Sequence, residues 1–200
     1  MNYLAHLLLA GPDEETMVGA FLGDFVKDRD LAGFAPVVAR EIRLHRLIDT
    51  FTDTHPVVQA AQALFEPGRR RYAGIALDVF HDHVLAGDFE HYAGQPLAAF
   101  NWRAYRALLE GLPEKPESAR RVARRMAEHD WLGSYAEFDN VRQALRGIGR
   151  RLSRGSAQLE ACAEDLARHH ETLAAGFPIL FRDLRAFAQA QRSMAVERPV

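Results

Sequence analysis

The chain has 200 residues, of which 48% are hydrophobic, and this is enough to bury the core of one domain. Its formal net charge of −2 at pH 7 argues against general nucleic-acid binding. The single cysteine, Cys162, excludes an internal disulfide framework and fits a reducing compartment.

Residues 1–10 are apolar but carry no basic leader. Their hydrophobic run is interrupted by His6 and is closed by Gly11 and Pro12. We therefore expect neither a signal peptide nor a membrane span, and we expect a cytoplasmic protein.

Glycine and proline divide the sequence into helical lengths, and no run of alternating β-branched residues is long enough for a sheet. We predict an all-α fold, a single-domain helical bundle over residues 1–200. The predicted helices cover residues 2–10, 13–27, 36–52, 57–65, 75–86, 97–112, 117–131, 139–152 and 156–191, the last with a kink or break at Pro178. In the second helix, Gly19 and Gly23 lie four residues apart, a spacing that would let another helix approach closely.

The third predicted helix places polar groups on its buried side. His45 and Asp49 lie about 40° apart on the helix, in the arc that also holds Ile42 and Ile48. A carboxylate and an imidazole are costly to bury unless they pair or bind a metal. One such pair is satisfied by a hydrogen bond between its two members, so this pair alone leaves a structural role open.

A second pair makes a metal the simpler interpretation. Asp78 and Asp82 lie one turn apart on an arc shared with Leu77 and Leu85, and His81 falls within the same arc. Two carboxylates turned into a core repel each other and do not both ionise without a cation. Mixed imidazole and carboxylate ligands suit Mn²⁺, Fe²⁺ or Zn²⁺, and a carboxylate-rich set favours Mn²⁺ or Mg²⁺. The chemistry that such a site performs most readily is phosphoester hydrolysis.

Charge is unevenly placed along the chain. Residues 1–30 hold six acidic against two basic residues, whereas residues 141–155 hold five arginines and no acid. Arg142 and Arg146 lie one turn apart and would share one face of a helix. We expect the first half to bind a cation and the Arg-rich helices of residues 114–155 to face an anionic partner, although charge runs more often form a solvated face.

Motifs in the first half of the chain resemble the acyl carrier protein phosphodiesterase family. They occur in the family's order over roughly residues 1–90, whereas the Arg-rich later part resembles the family only loosely. The motifs are Asn2-Tyr-Leu-Ala-His6, Leu22-Gly-Asp24-Phe-Val, His45-Arg-Leu-Ile-Asp49 with Phe51-Thr-Asp53 and His55-Pro56, and Leu77-Asp78-Val with Asp82-His83.

The resemblance implies a fold related to the HD-domain metal-dependent phosphohydrolases, without their strict adjacent His-Asp doublet. It implies Mn²⁺-dependent removal of the 4′-phosphopantetheine group from holo acyl carrier protein, an acidic protein partner. It carries over as metal-site residues Asp24, His45, Asp49, Asp78 and Asp82.

Other residues are expected near the reaction. His6 and His83 are site residues of open role, and with Asp24 they are the catalytic candidates. His83 lies about 140° from Asp78 on the helix, so it serves as a proton donor, as a hydrogen-bonding neighbour or as a structural residue. Arg46 is the expected phosphate clamp, because guanidinium binds phosphate bidentately. Arg142 and Arg146 are the expected carrier-protein contacts.

Two other functions fit the same residues. One is an HD-like hydrolase of small phosphoesters or nucleotides, which would act equally on a small diester and on a protein-bound one. The other is a non-enzymatic helical binding module in which the carboxylates hold a structural cation in a closed coordination shell.

Overall fold

The computed structural model describes residues 2–196, and side-chain surroundings for residues 2–194. Every regular element in that range is a helix, which confirms the all-α prediction. Two short 3-10 helices, Asp28–Gly33 and Arg70–Tyr72, join longer elements. The α-helices are α1 Tyr3–Ala10, α2 Glu14–Leu22, α3 Pro36–Thr54, α4 Pro56–Ala63, α5 Ala73–Gly87, α6 Phe89–Ala93, α7 Leu97–Gly111, α8 Glu117–Glu128, α9 Trp131–Ser134, α10 Phe138–Gly149, α11 Ser156–Arg168 and α12 His170–Val196.

Helix α5 lies at the centre of the packing. It contacts α1, α4, α10, α11 and α12, and its Leu77, Phe80 and Leu85 side chains are fully buried. Apolar residues on nearly all sides of this helix, including Ala73 and Ala76, explain why it can be enclosed by neighbours. Helix α5 therefore provides the surface on which α1 is positioned.

Helices α2 and α3 pack closely because of two glycines, as the sequence predicts. A Cβ atom added at Gly19 would lie 2.6 Å from the Cβ of Glu41, and one added at Gly23 would lie 2.2 Å from the Cγ of His45. Both distances are shorter than any real Cβ contact, so a side chain at either position would push the helices apart. The absence of these side chains lets α3 bring His45 against the backbone of α2.

Some predicted helix ends are wrong. Helix α2 ends at Leu22, not near Lys27, and the Leu22 carbonyl accepts hydrogen bonds from the backbone N–H groups of both Phe25 and Val26, at 2.9 and 3.0 Å. The apolar pattern continues past the end because Val26 is buried from a non-helical segment. A hydrophobic pattern indicates which residues are buried, and here buried residues continue beyond the end of the helix.

The break between the last two helices also differs from the prediction. The chain leaves the helix at His169, and α12 continues through Pro178. A proline removes one helical hydrogen bond and costs about 3 kcal/mol or more inside a helix. Burial of Phe177, Leu180 and Phe181 on either side of it anchors α12 against the core and offsets that cost.

The region after α5 contains two short helices that the sequence did not predict, α6 and α9. The second of them begins after Asp130, whose positive φ of 42° ends α8 three residues before the predicted boundary.

Over residues 2–196, the helices are too short or too polar for any of them to cross a membrane. The single-domain organisation and the relation to the HD-domain fold stay predictions.

Candidate metal centre

Three side chains from two helices converge at the edge of the α1–α3 contact. The Nε2 atom of His6 lies 3.0 Å from Oδ1 of Asp49, and the Nε2 atom of His45 lies 3.3 Å from Oδ2 of the same carboxylate. The two imidazole rings stack, with their centroids 3.7 Å apart. One donor atom from each residue lies within 4.8 Å of the others, so these three residues could hold a divalent metal ion.

Asp24 extends this cluster on the side of α2. Its Oδ1 lies 3.3 Å from the Nε2 atom of His45, and its side chain is 50% exposed. Asp49, with 38% exposure, borders solvent as well, whereas His6 and His45 are buried. The cluster therefore has imidazoles on its inner side and carboxylates on its open side.

The hydrogen bonds of His45 are compatible with a cation in the cluster. Its Nδ1 atom lies 2.7 Å from the Ala20 carbonyl oxygen, which only accepts, so Nδ1 carries a proton and donates it. Its Nε2 atom faces the carboxylates of Asp24 and Asp49. A neutral imidazole has one N–H, so Nε2 must either take a second proton or present its lone pair to a cation. A backbone carbonyl on the other ring nitrogen is a common way to orient a metal-binding histidine.

Electrostatics around His45 lead to the same conclusion. Burial lowers its pKa, but hydrogen bonds to Asp24 and Asp49 outweigh this and raise the pKa to about 9. Burial raises the pKa of Asp49, and the contacts with His45 and His6 more than reverse this, so its pKa falls far below the usual range. The carboxylates are thus ionised, and they favour the positively charged form of His45. A bound cation would neutralise the same negative charge.

His6 differs from His45 in being held neutral. Burial, together with the neighbouring His45, lowers its pKa to about 4. Its Nδ1 atom is buried and has no hydrogen-bond partner among the described residues. A neutral imidazole is the form that coordinates a metal ion.

Asp82 holds the N-terminus of α1. Its Oδ2 accepts a hydrogen bond from the Leu4 backbone N–H at 2.8 Å, and its Oδ1 accepts one from the Ala5 N–H at 3.0 Å. These are two of the N–H groups that a helix leaves unpaired at its start, and the helix dipole favours an anion there. Burial nevertheless raises the pKa of Asp82 to about 7. Both oxygens of Asp82 thus bind the start of α1, the helix that carries His6, and in this way Asp82 positions His6. Its predicted role as a metal ligand stays untested.

Asp78 lies one turn before Asp82 and is half-buried. Burial raises its pKa, and the charges of Asp49 and Asp53 raise it further. Asp78 is therefore close enough to Asp49 to share its electrostatic environment. Its metal role stays a prediction.

The ring nitrogens of His83 are both engaged with later parts of the chain. Its Nδ1–H donates to the Tyr135 carbonyl at 2.8 Å, and its Nε2 lies 3.1 Å from the Nε2 of His170. His170 had no predicted partner, and a separation of 87 residues explains why the sequence gave no signal for this contact. Of the open roles for His83, this geometry supports hydrogen bonding to neighbours, and the catalytic role stays a prediction.

His81 faces the interior, as predicted. It is buried beside Phe177, with ring centroids 5.7 Å apart, and burial lowers its pKa to about 3. His55 caps α4, because its Nδ1 accepts a hydrogen bond from the Val57 N–H at 3.2 Å.

The predicted arginine contacts are all partly engaged within the protein. Arg46 donates to the carboxylate of Asp28 and to the Val26 carbonyl, and so fixes the segment that follows Asp24. Arg146 forms an ion pair with Glu160 at 2.7 Å. The third predicted arginine, Arg142, lies over the Phe138 ring, and its Nε atom is 3.9 Å from Oδ1 of Asp139. Their substrate-binding roles stay predictions.

Comparison with known proteins agrees with the motifs. The sequence model of the family described as acyl carrier protein phosphodiesterase matches residues 1–184, well beyond the motif-bearing first half. Three bacterial proteins of that name are each 34% identical to this chain: those of Serratia proteamaculans over 86% of this chain and 89% of that protein, Photorhabdus laumondii over 90% and 89%, and Escherichia coli O6:H1 strain CFT073 over 88% and 92%. No solved structure matches. The chain belongs to the acyl carrier protein phosphodiesterase family.

Proposed function

We propose that this protein hydrolyses the phosphodiester that joins 4′-phosphopantetheine to a serine of holo acyl carrier protein, and that a divalent metal ion, Mn²⁺ by preference, supports the reaction. The convergence of His6, His45 and Asp49 within 4.8 Å carries the proposal, because this donor set suits a catalytic metal. Membership of the family named for this activity supports the choice of substrate.

His6, His45 and Asp49 would hold the ion. The preference for Mn²⁺ rests on the carboxylate-rich surroundings, since Asp24 adds an oxygen donor beside His45 and Asp78 lies close enough to Asp49 for their charges to interact. When bound, such an ion polarises a phosphoryl oxygen and lowers the pKa of water from 15.7 toward about 7.

Asp24 is the side chain best placed to manage the proton of the attacking water. It lies on the open side of the cluster, and although partial burial raises its pKa, the hydrogen bond and charge of His45 hold that pKa below its ordinary value. An ionised carboxylate at the mouth of the site can orient water and accept a proton. Water oxygen then bonds to phosphorus, the bond from phosphorus to the serine oxygen breaks, and the serine oxygen ends with a proton. The products are apo carrier protein and 4′-phosphopantetheine.

Arg46 would guide the phosphate. Its guanidinium is anchored through Asp28 and the Val26 carbonyl, in the segment that follows Asp24, which limits its freedom to move. A held guanidinium loses little conformational entropy when it binds a phosphate oxygen. Its charge would offset the negative charge of the diester as it enters among Asp24 and Asp49.

Mass spectrometry of the carrier protein tests the proposal. Holo acyl carrier protein incubated with this protein and Mn²⁺ should lose the mass of phosphopantetheine, and a small phosphodiester should be a poorer substrate. Unchanged holo carrier protein, with rapid hydrolysis of small phosphoesters or nucleotides, would favour the general hydrolase. Metal binding without hydrolysis of either substrate would favour a binding module.

A further inference from the structure

A groove runs between α3 and α12, on the side of α3 that faces away from His45. Basic side chains and leucines form its walls and floor, while the acids near the metal cluster lie outside it. Its lining residues are Arg40, Arg43, Leu44, Leu47, Gln191 and Arg192.

A buried carboxylate fixes two of the arginines. The side chain of Glu41 is 1% exposed and binds Arg192 through two bonds, Nε to Oε1 at 3.0 Å and Nη2 to Oε2 at 2.6 Å. Arg40 donates from its Nε to Oε1 of the same carboxylate at 3.1 Å. Both guanidiniums are therefore oriented before any partner binds, which lowers the entropic cost of association.

The groove still carries a surplus of positive charge. Of its three guanidinium groups, those of Arg40 and Arg192 share the Glu41 carboxylate, and that of Arg43 is exposed with no ion pair among the described residues. Between these charges Leu47 is 44% exposed, next to the buried Leu44. An apolar floor flanked by fixed positive charge complements an amphipathic helix that has acidic residues along its edges.

The groove is close enough to the metal cluster for one partner to cover both. Leu47 and Asp49 are two residues apart on α3, so they point about 160° apart around the helix, and this separates them by about 10 Å across its width. A typical protein interface covers about 800 Å² on each partner, a patch roughly 30 Å wide. A protein seated in the groove would have to extend across the exposed side of α3 to reach the open edge of Asp49 and Asp24.

From this arrangement we infer that the α3–α12 groove is the docking surface for an acidic amphipathic helix of the carrier protein, and this inference rests on the proposed function. The alternative pair of arginines on α10 has no unpaired charge like that of Arg43, since Arg146 is bound by Glu160 at 2.7 Å and Arg142 lies 3.9 Å from Asp139. Docking in the groove places the serine-linked phosphate over the carboxylate edge of the cluster.

The test compares two exposed arginines that have no ion pair among the described residues, Arg43 in the groove and Arg124 on α8. Arg43→Glu should raise KM for holo carrier protein at low salt by about fivefold or more, leave kcat within about twofold and weaken the salt dependence of kcat/KM. Arg124→Glu should leave KM within about twofold. Leu47→Ser should raise KM without altering the salt dependence, because it removes an apolar contact and no charge.

Separate readouts keep the two proposals apart. The rise in melting temperature on adding Mn²⁺ should be the same in Arg43→Glu as in the wild type, which shows that the metal cluster is intact; if Arg43→Glu does not fold, Arg43→Gln replaces it. A wild type that makes no apo carrier protein overturns the proposed function, and binding of labelled carrier protein, measured by fluorescence anisotropy, then tests the groove. The groove is overturned if Arg43→Glu leaves KM and binding within about twofold, or if Arg124→Glu weakens them equally.

Discussion

The imidazole rings of His6 and His45 stack at a centroid distance of 3.7 Å, with an angle of 14° between their planes. Two imidazolium ions would repel each other strongly in this position, so only one ring can carry a positive charge while the pair stays together. The ring that carries it is His45, whose pKa is raised to about 9, whereas the pKa of His6 is lowered to about 4. The stacked pair thus presents two Nε2 atoms to Asp49 with a single positive charge between them.

Metal binding should therefore release a proton. Near pH 7.5 His45 is protonated in the metal-free protein because its pKa, ordinarily 6.5, is about 9, and a histidine must be neutral to bind metal. We expect about one proton to be released for each Mn²⁺ bound, and we expect affinity to rise with pH until about 9. Calorimetry in two buffers that differ in ionisation enthalpy measures this. Identical apparent binding enthalpies in the two buffers would show that no proton leaves.

Gly23 should be needed for the metal site. A Cβ atom there would lie 2.2 Å from Cγ and 2.5 Å from Cβ of His45, so Gly23→Ala must displace the histidine or the helix that carries it. We expect the rise in melting temperature with Mn²⁺ to be abolished or greatly reduced.

Gly147→Ala is the matched control, because Gly147 lies within α10, shares the right-handed helical backbone conformation of Gly23, and would have nothing within 4 Å of an added Cβ atom. That change should be neutral or stabilising by up to about 1 kcal/mol. A full Mn²⁺ response in Gly23→Ala would show that the close approach of α2 does not position His45.

Removing the charge of Asp82 should destabilise the protein more than it affects chemistry. In Asp82→Asn only one side-chain atom can accept a hydrogen bond, so one of the N–H groups of Leu4 and Ala5 loses its partner. A buried unpaired group costs about 1–3 kcal/mol, and we expect chemical denaturation to show a loss of that size. If metal affinity falls by orders of magnitude while stability is unchanged, Asp82 is a metal ligand and not the cap of α1.

Local spacing predicted the part of the site that lies within single helices. His45 and Asp49 are one turn apart on α3, so the 3.6-residue repeat was enough to place them together, and Gly23 was recognised as a point of close approach. Asp82 could not be assigned in this way. Whether a buried carboxylate meets a metal ion or a helix N-terminus depends on how α1 packs against α5. The residues that meet there, Asp82 with Leu4 and Ala5, are separated by 78 and 77 positions in the sequence.

The same limit explains one contact that was not predicted and one helix break that was predicted wrongly. The contact between His83 and His170 joins α5 to the start of α12, and no local pattern signals it. Pro178 suggested a helix break because proline disfavours a helix interior, but the burial of Phe177 and Phe181 in the folded chain outweighs that preference. Long-range packing decided both cases.

Asp24 should matter for turnover and little for folding. Asp24→Asn keeps the shape of the side chain and removes its charge, so we expect turnover of holo carrier protein to fall by at least about a hundredfold while helicity is unchanged. Glu15→Gln, an equivalent change at an exposed position on α2, is the control and should be neutral. Retention of more than about a tenth of the turnover by Asp24→Asn would leave Asp24 with a structural role.

The stripe on α10 gives a prediction that competes with the groove. Arg142 and Arg146 already contact Asp139 and Glu160, so the double change to glutamate should reduce kcat/KM for the carrier protein by no more than about twofold at low salt. A larger loss, accompanied by weaker salt dependence, would move the docking surface from α3 and α12 to α10.

The most direct test of the account is the formation of apo carrier protein by metal-stripped protein, followed by mass spectrometry with and without Mn²⁺. Because His6, His45 and Asp49 could hold the ion that the proposed reaction needs, we predict no product in excess EDTA and full recovery when Mn²⁺ is restored, with a parallel recovery of melting temperature. Full turnover of holo carrier protein in excess EDTA would contradict it.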